Sequence, residues 1–227
     1  MGNILNKDDI DKIFQLAEDI GKTIPKDNDA LNRIHLHKGE IVCSDSYRLG
    51  VYKSSIDTDI TCSIPLDIIK ALKVAKIKQI GIVGMAGADV ELKTDKFRIQ
   101  FKQNTLAYPK YDDLISIKPV VKVKIKTAEF LRKLEGAKTV SDEVVLKVYK
   151  DCLEISAESE TDNYHNNIEA KADGEIKICL NNKYLATYLK RVKNEYVEIG
   201  FISTHSQIHI HEENTYEYIL MPCVMKD

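Results

Sequence analysis

A chain of 227 residues carries 33 Lys and Arg against 35 Asp and Glu, a formal net charge of −2, with 44% hydrophobic and 30% charged residues. That allows one large folded domain or two ordinary ones with a soluble surface, and excludes a chain that is basic as a whole. No apolar run approaches the roughly 20 residues of a membrane helix, and the start, Met1–Asp9, lacks the basic-then-apolar pattern of a signal peptide. The five cysteines, Cys43, Cys62, Cys152, Cys179 and Cys223, show no close pair and no metal spacing. Such a set reads as reduced, buried thiols of a cytoplasmic protein.

Taken in chain order, Ile10, Ile13, Phe14 and Ala17 predict a first helix. Ile34 and Leu36, then Ile41 and Cys43, predict a strand pair about a turn at Gly39. Ile68, Leu72 and Ala75 predict a second helix, and Ile80 and Ile82 a strand. Val90–Leu92 and Phe97–Phe101 alternate as half-buried strands, with turns at Gly84–Gly87 and Asp95. Pro119 ends one element, and Val121, Val123 and Ile125 begin an alternating strand.

The same order then repeats. At an offset of 117, Phe130, Leu131 and Leu134 fall on Ile13, Phe14 and Ala17; Leu185 and Leu189 fall on Ile68 and Leu72; Val197 and Ile199 fall on Ile80 and Ile82. At an offset of 112, Leu146, Val148, Leu153 and Ile155 match Ile34, Leu36, Ile41 and Cys43. Turns are expected at Asp151 and Glu212–Asn214. The fold class is therefore α+β in two tandem repeats, residues 1–117 and 118–227, each helix, strands, helix, strands, with helices on one face of a sheet.

Charge is placed unevenly. Residues 65–78 carry a local +3 and residues 181–194 a local +4. At about 100° per residue, Lys70 and Lys73 lie opposite the apolar face of the second helix. Lys183, Lys190 and Arg191 do the same on the fourth helix, and Arg132 on the third. Lys12 lies opposite on the first, sharing its face with Asp19. Three of four helices presenting mainly cations suggest a phosphate-facing surface.

Catalytic patterns are missing. There is no G-x-x-x-x-G-K-[ST] loop, no G-x-S-x-G and no H-E-x-x-H. The pairs His35/His37 and His209/His211 could each place two imidazoles on one strand face, but no third ligand accompanies them, so they read as exposed strand-face histidines. No metal, cofactor or catalytic residue is expected.

Four segments carry a resemblance to a known family. Cys43–Val51 resembles A-T-D-G-H-R-L-A-V, Tyr108–Leu114 resembles F-P-D-Y-x-x-V, Leu180–Leu185 resembles F-N-x-x-Y-L, and Ile219–Pro222 resembles V-V-M-P. In this order they resemble the second and third domains of the bacterial DNA polymerase III β subunit, the replicative sliding clamp. Ser46 stands where the family has Gly, Tyr47 where it has His or Tyr, and Val224–Asp227 replaces a short Arg-Leu ending. The family's first domain has no counterpart.

The resemblance implies a non-enzymatic polymerase processivity factor. Helices would line a ring of six like domains, sheets would form its outside, and duplex DNA would pass through without sequence readout. Lys12, Lys70, Lys73, Arg132, Lys183, Lys190 and Arg191 would face the DNA. Polymerase and clamp loader would dock by short peptides in a groove between the two domains. Leu49, Pro109, Leu114, Ile219 and Met221 would form its apolar pocket, and Arg48, Asn181 and Tyr184 its polar contacts. Ser44, Ser46 and Tyr47 sit on the same loop, and Leu220 and Pro222 shape the rim. Two domains per chain imply a head-to-tail homotrimer. The alternative is a monomeric regulatory protein that keeps the fold without loading.

Overall fold

Asn6 opens the first helix with a reciprocal cap: its side chain accepts from the Asp9 amide, and the Asp9 carboxylate accepts from the Asn6 amide. The buried Asp9 also accepts from Ser54 Oγ and Ser55 Oγ, at 2.9 and 2.8 Å, which ties the helix start to a distant loop. In this computed structural model, residues 4–56, 59–84, 89–212 and 215–225 are described. Met1–Asn3, Lys226–Asp227 and most of the turns expected at Gly84–Gly87 and Glu212–Asn214 fall outside these residues.

The chain divides into two units, residues 1–110 with 213–216, and residues 111–212 with 217–227. Unit 1 runs β1 (Ile4–Leu5), α1 (Lys7–Asp19), a short 3-10 turn (Gly21–Thr23), β2 (Arg33–His37), β3 (Glu40–Ser44), β4 (Arg48–Lys53) and β5 (Thr61–Pro65). It continues with α2 (Leu66–Val74), β6 (Ile80–Gly84), β7 (Asp89–Lys93) and β8 (Arg98–Lys102). Its strands pair in the orders β4-β3-β2-β5 and β1-β6-β7-β8. The β2–β3 turn places Lys38 and Gly39 at φ 50 and 75, the left-handed pair that a tight hairpin needs.

Unit 2 begins with α3 (Asp112–Ser116), a one-turn helix that the sequence pattern did not predict. It then runs β9 (Val121–Lys126), α4 (Thr127–Lys138), β10 (Glu143–Val148), β11 (Cys152–Glu158) and β12 (Asn163–Ala172). β13 (Ile176–Asn181), α5 (Asn182–Leu189), β14 (Tyr196–Phe201), β15 (Ile208–Glu212) and β16 (Tyr216–Leu220) complete it. The strands pair as β13-β10-β11-β12-β9-β14-β15-β16. Within it, β12 pairs β11 up to Glu169 and β9 from Ala170 onward, so one long strand joins two groups of four. β9 alternates fully, with Val121, Val123 and Ile125 buried and Lys122, Lys124 and Lys126 exposed.

The internal repeat is present in the packing. α1 packs on α2 and β3 in unit 1, and α4 on α5, β11 and β12 in unit 2. The matched strand residues Ile34, Leu36, Ile41 and Cys43, and Leu146, Leu153 and Ile155, are all fully buried. A one-residue correction applies to α2: Leu66, Ile69 and Leu72 face the core, whereas Ile68 is only half-buried. Asp19 does not share a polar face with Lys12, being 9% exposed at the end of α1.

The histidines also depart from expectation. His35 is buried, with Nδ1 2.9 Å from Ser63 Oγ on the paired strand, and stacks on Tyr108 at 4.5 Å. Arg33 lies over the other end of this stack, 5.7 Å from the Tyr108 ring, and donates to the Leu106 carbonyl at 2.7 Å. The segment after β8 is thus fastened to unit 1 through rings and a guanidinium. His209 is buried as well, while His211 pairs with Glu217 at 2.5 Å.

Burial, with His37 and Arg33 nearby, pushes the His35 pKa down from 6.5 to about 4. Between those values the unfolded chain binds a proton that the folded chain refuses, so stability falls as pH drops through this window. Wild-type protein should lose thermal stability from pH 7 to pH 5 in scanning calorimetry, and His35→Phe should flatten that slope. An equal slope in the variant would remove His35 as its source.

Candidate functional site

The turn between β3 and β4 is built around one carboxylate. Asp45 accepts from the Tyr47 and Arg48 amides at 3.1 and 3.0 Å, closing an Asx turn. Its other oxygen accepts from Arg48 Nε at 3.0 Å and Thr23 Oγ1 at 2.6 Å. Arg48 reaches further, donating from Nη2 to the Asp19 carbonyl at 2.5 Å. Both ion-pair side chains are only 2% exposed. The pair therefore fixes the turn against the end of α1 and the 3-10 turn, and Arg48 is an internal strut in this structure.

What the turn offers outward is different. Tyr47 is 63% exposed, and Ser46 is exposed with φ 74. A left-handed conformation costs an L-residue with a Cβ about 1–2 kcal/mol, and glycine much less. That explains physically why a glycine suits this place in the related motif. Ser44 is half-buried and its Oγ accepts from the Ser46 amide at 3.2 Å. Leu49 is 4% exposed and belongs to the core of unit 1. Pro109 is exposed, following the anchored Tyr108.

In unit 2 the candidate residues gather around the start of α5. Asn181 caps that helix, its side chain accepting from the Tyr184 amide at 3.0 Å. Tyr218 Oη donates to the Tyr184 carbonyl at 3.1 Å, and its ring stacks on Tyr188 at 4.8 Å. The chain then leaves β16 and returns to β13, where Pro222 bridges Leu180. Ile219 and Leu220 are buried, Met221 is 36% exposed, and Pro222 and Tyr184 are half-buried. Leu114, half-buried on α3, presents its carbonyl to buried His209, whose pKa is lowered by that burial. Tyr218, Tyr188 and Asp45 are positioning residues that the motif matches did not single out, although the Asp-x-x-Arg spacing was a readable sign of the last.

The helix cations are partnered to different degrees. Lys12 is half-buried, pairs with Asp8 at 2.7 Å and donates to the Lys53 carbonyl. Lys70 pairs with Asp67 at 3.1 Å. Lys73 bridges from α2 to Glu18 on α1, and Lys190, at the C-cap of α5, bridges to Glu135 on α4 at 3.0 Å. These last two pairs occupy equivalent positions at the offset of 117, so the repeat extends to an interhelix ion pair. Arg132 and Lys183 are exposed with no ion pair among the described residues, and Arg191 is exposed.

Comparison with known proteins gives this arrangement a place. Residues 114–224, just under half of the chain, match the family described as DNA polymerase III beta subunit, C-terminal domain. The DNA polymerase III beta subunit of Thermotoga maritima superposes with a TM-score of 0.84 at 20% identity, over 98% of this chain and 65% of that one. The beta subunit of Borrelia burgdorferi, solved with a natural product, gives 0.85 at 16% identity, over 100% and 65%. The Pseudomonas aeruginosa sliding clamp bound to griselimycin gives 0.80 at 18%, over 95% and 64%. This is the sliding-clamp fold. The chain spans about 65% of the length of those clamps. No curated protein matches it by sequence. Among the described residues no helix is long and apolar enough to cross a membrane, and no three His, Cys, Asp or Glu side chains are grouped to hold a metal.

Removing one member of the buried Asp45–Arg48 pair strands the other. Arg48→Ala should cost about 3–5 kcal/mol in urea unfolding, and Asp45→Asn/Arg48→Met should cost less than the two single changes added. Additive losses in that cycle would show that the pair does not act as a unit.

Proposed function

We propose that the chain is a sliding clamp, a non-enzymatic processivity factor that encircles duplex DNA and tethers replication proteins. The observation that carries this reading is the repeat of one clamp-like unit along the chain, joined to the family match at residues 114–224. Residues 1–117 and 118–227 act as the two clamp domains. Three chains, each supplying two domains, close a head-to-tail ring in the cytoplasm. A clamp loader opens the ring onto DNA.

The helices face the duplex. Lys12, Lys70, Lys73, Arg132, Lys183, Lys190 and Arg191 supply the field, with the strongest local contribution from Arg132 and Lys183, which keep their charge uncompensated by a described ion pair. Contacts of this kind neutralise phosphates without reading bases, which leaves the ring free to move along the duplex. A specific observation supports the rival, a monomer that keeps the fold without loading: Lys12, Lys70, Lys73 and Lys190 are each matched to a carboxylate. Light scattering separates the two. The clamp reading expects three times the 25.8 kDa chain mass and retention on nicked circular DNA that falls steeply with salt. Arg132→Glu/Lys183→Glu/Arg191→Glu should lower retention severalfold without changing the melting temperature. A stable monomer with no retention would establish the rival.

The partner-peptide surface proposed for unit 1 includes Ser44, Ser46, Tyr47, Arg48, Leu49 and Pro109. That proposed for unit 2 includes Leu114, Asn181, Tyr184, Ile219, Leu220, Met221 and Pro222. Exposed Tyr47 and Met221 make the direct apolar contacts, while buried Arg48, Leu49 and Leu220 hold them in place. Met221→Lys requires a charge to be desolvated on binding, so a polymerase-derived peptide should bind at least tenfold more weakly in fluorescence anisotropy, with an unchanged melt. Undiminished binding by Met221→Lys and by Tyr47→Ala would take this surface out of the proposal.

A further inference from the structure

Outside the candidate surfaces, two cysteines far apart in sequence come face to face. Pro222 and Leu180 form an antiparallel bridge, and the Cys223 amide donates to the Cys179 carbonyl at 2.8 Å. In antiparallel register the residues flanking that bridge, Cys223 and Cys179, stand directly opposite one another on the same face. A hydrogen-bonded antiparallel pair holds its Cα atoms about 5.5 Å apart, inside the range of about 4.4–6.8 Å that a disulfide spans. The two thiols are near enough for each to bear on the other's ionisation.

We propose that Cys179 and Cys223 are a thiol–disulfide modification site, oxidised by a low-molecular-weight disulfide such as oxidised glutathione, that locks the C-terminal segment onto β13. The proposal does not depend on the clamp reading.

The two sulfurs have different roles. Cys223 is half-buried and Cys179 is 3% exposed, lining a surface pocket with Glu143, Val145, Ser156 and Met225. Cys223 is therefore the sulfur a reagent meets first. It gives its proton to solvent and attacks one sulfur of oxidised glutathione; that S–S bond breaks, and one glutathione thiolate leaves and takes up a proton. Cys179 then loses its proton and attacks the Cys223 sulfur, releasing the second glutathione. Two protein thiols are oxidised and one glutathione disulfide is reduced to two thiols.

The surroundings of the two thiols agree with this order. Burial, then Glu143, raises the Cys223 pKa, and the neighbouring Cys179 opposes that rise. Burial first, and then the neighbouring Cys223, pushes Cys179 up to about 11. Both thiols are thus slow to ionise, and oxidation is expected over hours rather than seconds. Cys43 and Cys62 are fully buried, with Cys62 pushed up to about 12 by burial, and neither has a facing cysteine.

The full chain is incubated with oxidised glutathione under native conditions, quenched with acid, and measured by intact mass and peptide mapping. The expected product has lost two hydrogens, keeps three of its five thiols, and yields one linked peptide pair containing Cys179 and Cys223. Dithiothreitol should reverse it, and amide exchange at 223–225 should slow in the oxidised form. Cys223→Ser should form no internal disulfide, whereas Cys152→Ser should behave as wild type. A stable glutathione adduct on Cys223 that never resolves, a disulfide involving Cys152, or five unmodified thiols after exposures that fully oxidise the urea-unfolded chain would each overturn the proposal.

Discussion

The buried pairing of Arg48 with Asp45 is the constraint on which unit 1's outward-facing turn depends. A guanidinium this far from water is stable only when its donors are matched, and here they reach a carboxylate, the Asp19 carbonyl and Thr23 Oγ1. One side chain thereby joins the end of the first helix, the 3-10 turn and the β3–β4 hairpin. The exposed Tyr47 and the left-handed Ser46 are displayed from a fixed frame. Rigid support beneath an exposed aromatic is what lets a contact surface bind without first ordering itself. In unit 2 the same task falls to neutral groups, the Asn181 cap and the Tyr218 hydroxyl, both closing on Tyr184.

The interhelix pairs show a second level of repetition. Lys73 with Glu18 and Lys190 with Glu135 recur at equivalent places. Exposed pairs of this kind contribute about 0–1 kcal/mol each, so stability is a weak reason for them. Their clearer consequence is electrostatic. A cation held beside a carboxylate presents a dipole to a polyanion rather than a full charge, which weakens each phosphate contact. Under the proposed function this suits a surface that moves along a duplex, which gains from many weak contacts over a few strong ones.

Much of the fold was legible in the sequence because its determinants are periodic. The offset of 117 aligned helices whose buried faces depend on spacing alone, and β9 alternates as cleanly in structure as in sequence. What escaped depended on partners distant in the chain. His35 and His209 read as exposed because alternation places them opposite apolar residues, yet Tyr108, Ser63 and the Leu114 carbonyl cover them. The α2 face was misplaced by one residue because Ile68 and Ile69 are equally apolar, and only packing chooses between them. Helix α3 is a single turn, too short for a periodic signal. Within the candidate site, motif resemblance pointed to Arg48 and Leu49 as contacts, whereas their burial makes them supports for Tyr47.

The end of the chain follows from a change of solvent exposure over five residues, Leu220 to Val224. Leu220 is fully buried and terminates β16, Met221 is 36% exposed, and Val224 is 88% exposed. Pro222 has no amide to donate, so the return to β13 relies on the amides beside it, among them the Cys223 amide that donates to the Cys179 carbonyl. A chain end that projects into solvent opens at a small fraction of the global unfolding free energy. Met221 therefore sits between a rigid strand and a loosely held tail. A flexible, polarizable side chain is suited to that place, since it can repack around partners of differing shape. Any change that fastens or frees Cys223 alters the freedom of Met221 two residues away, without touching the core that ends at Leu220.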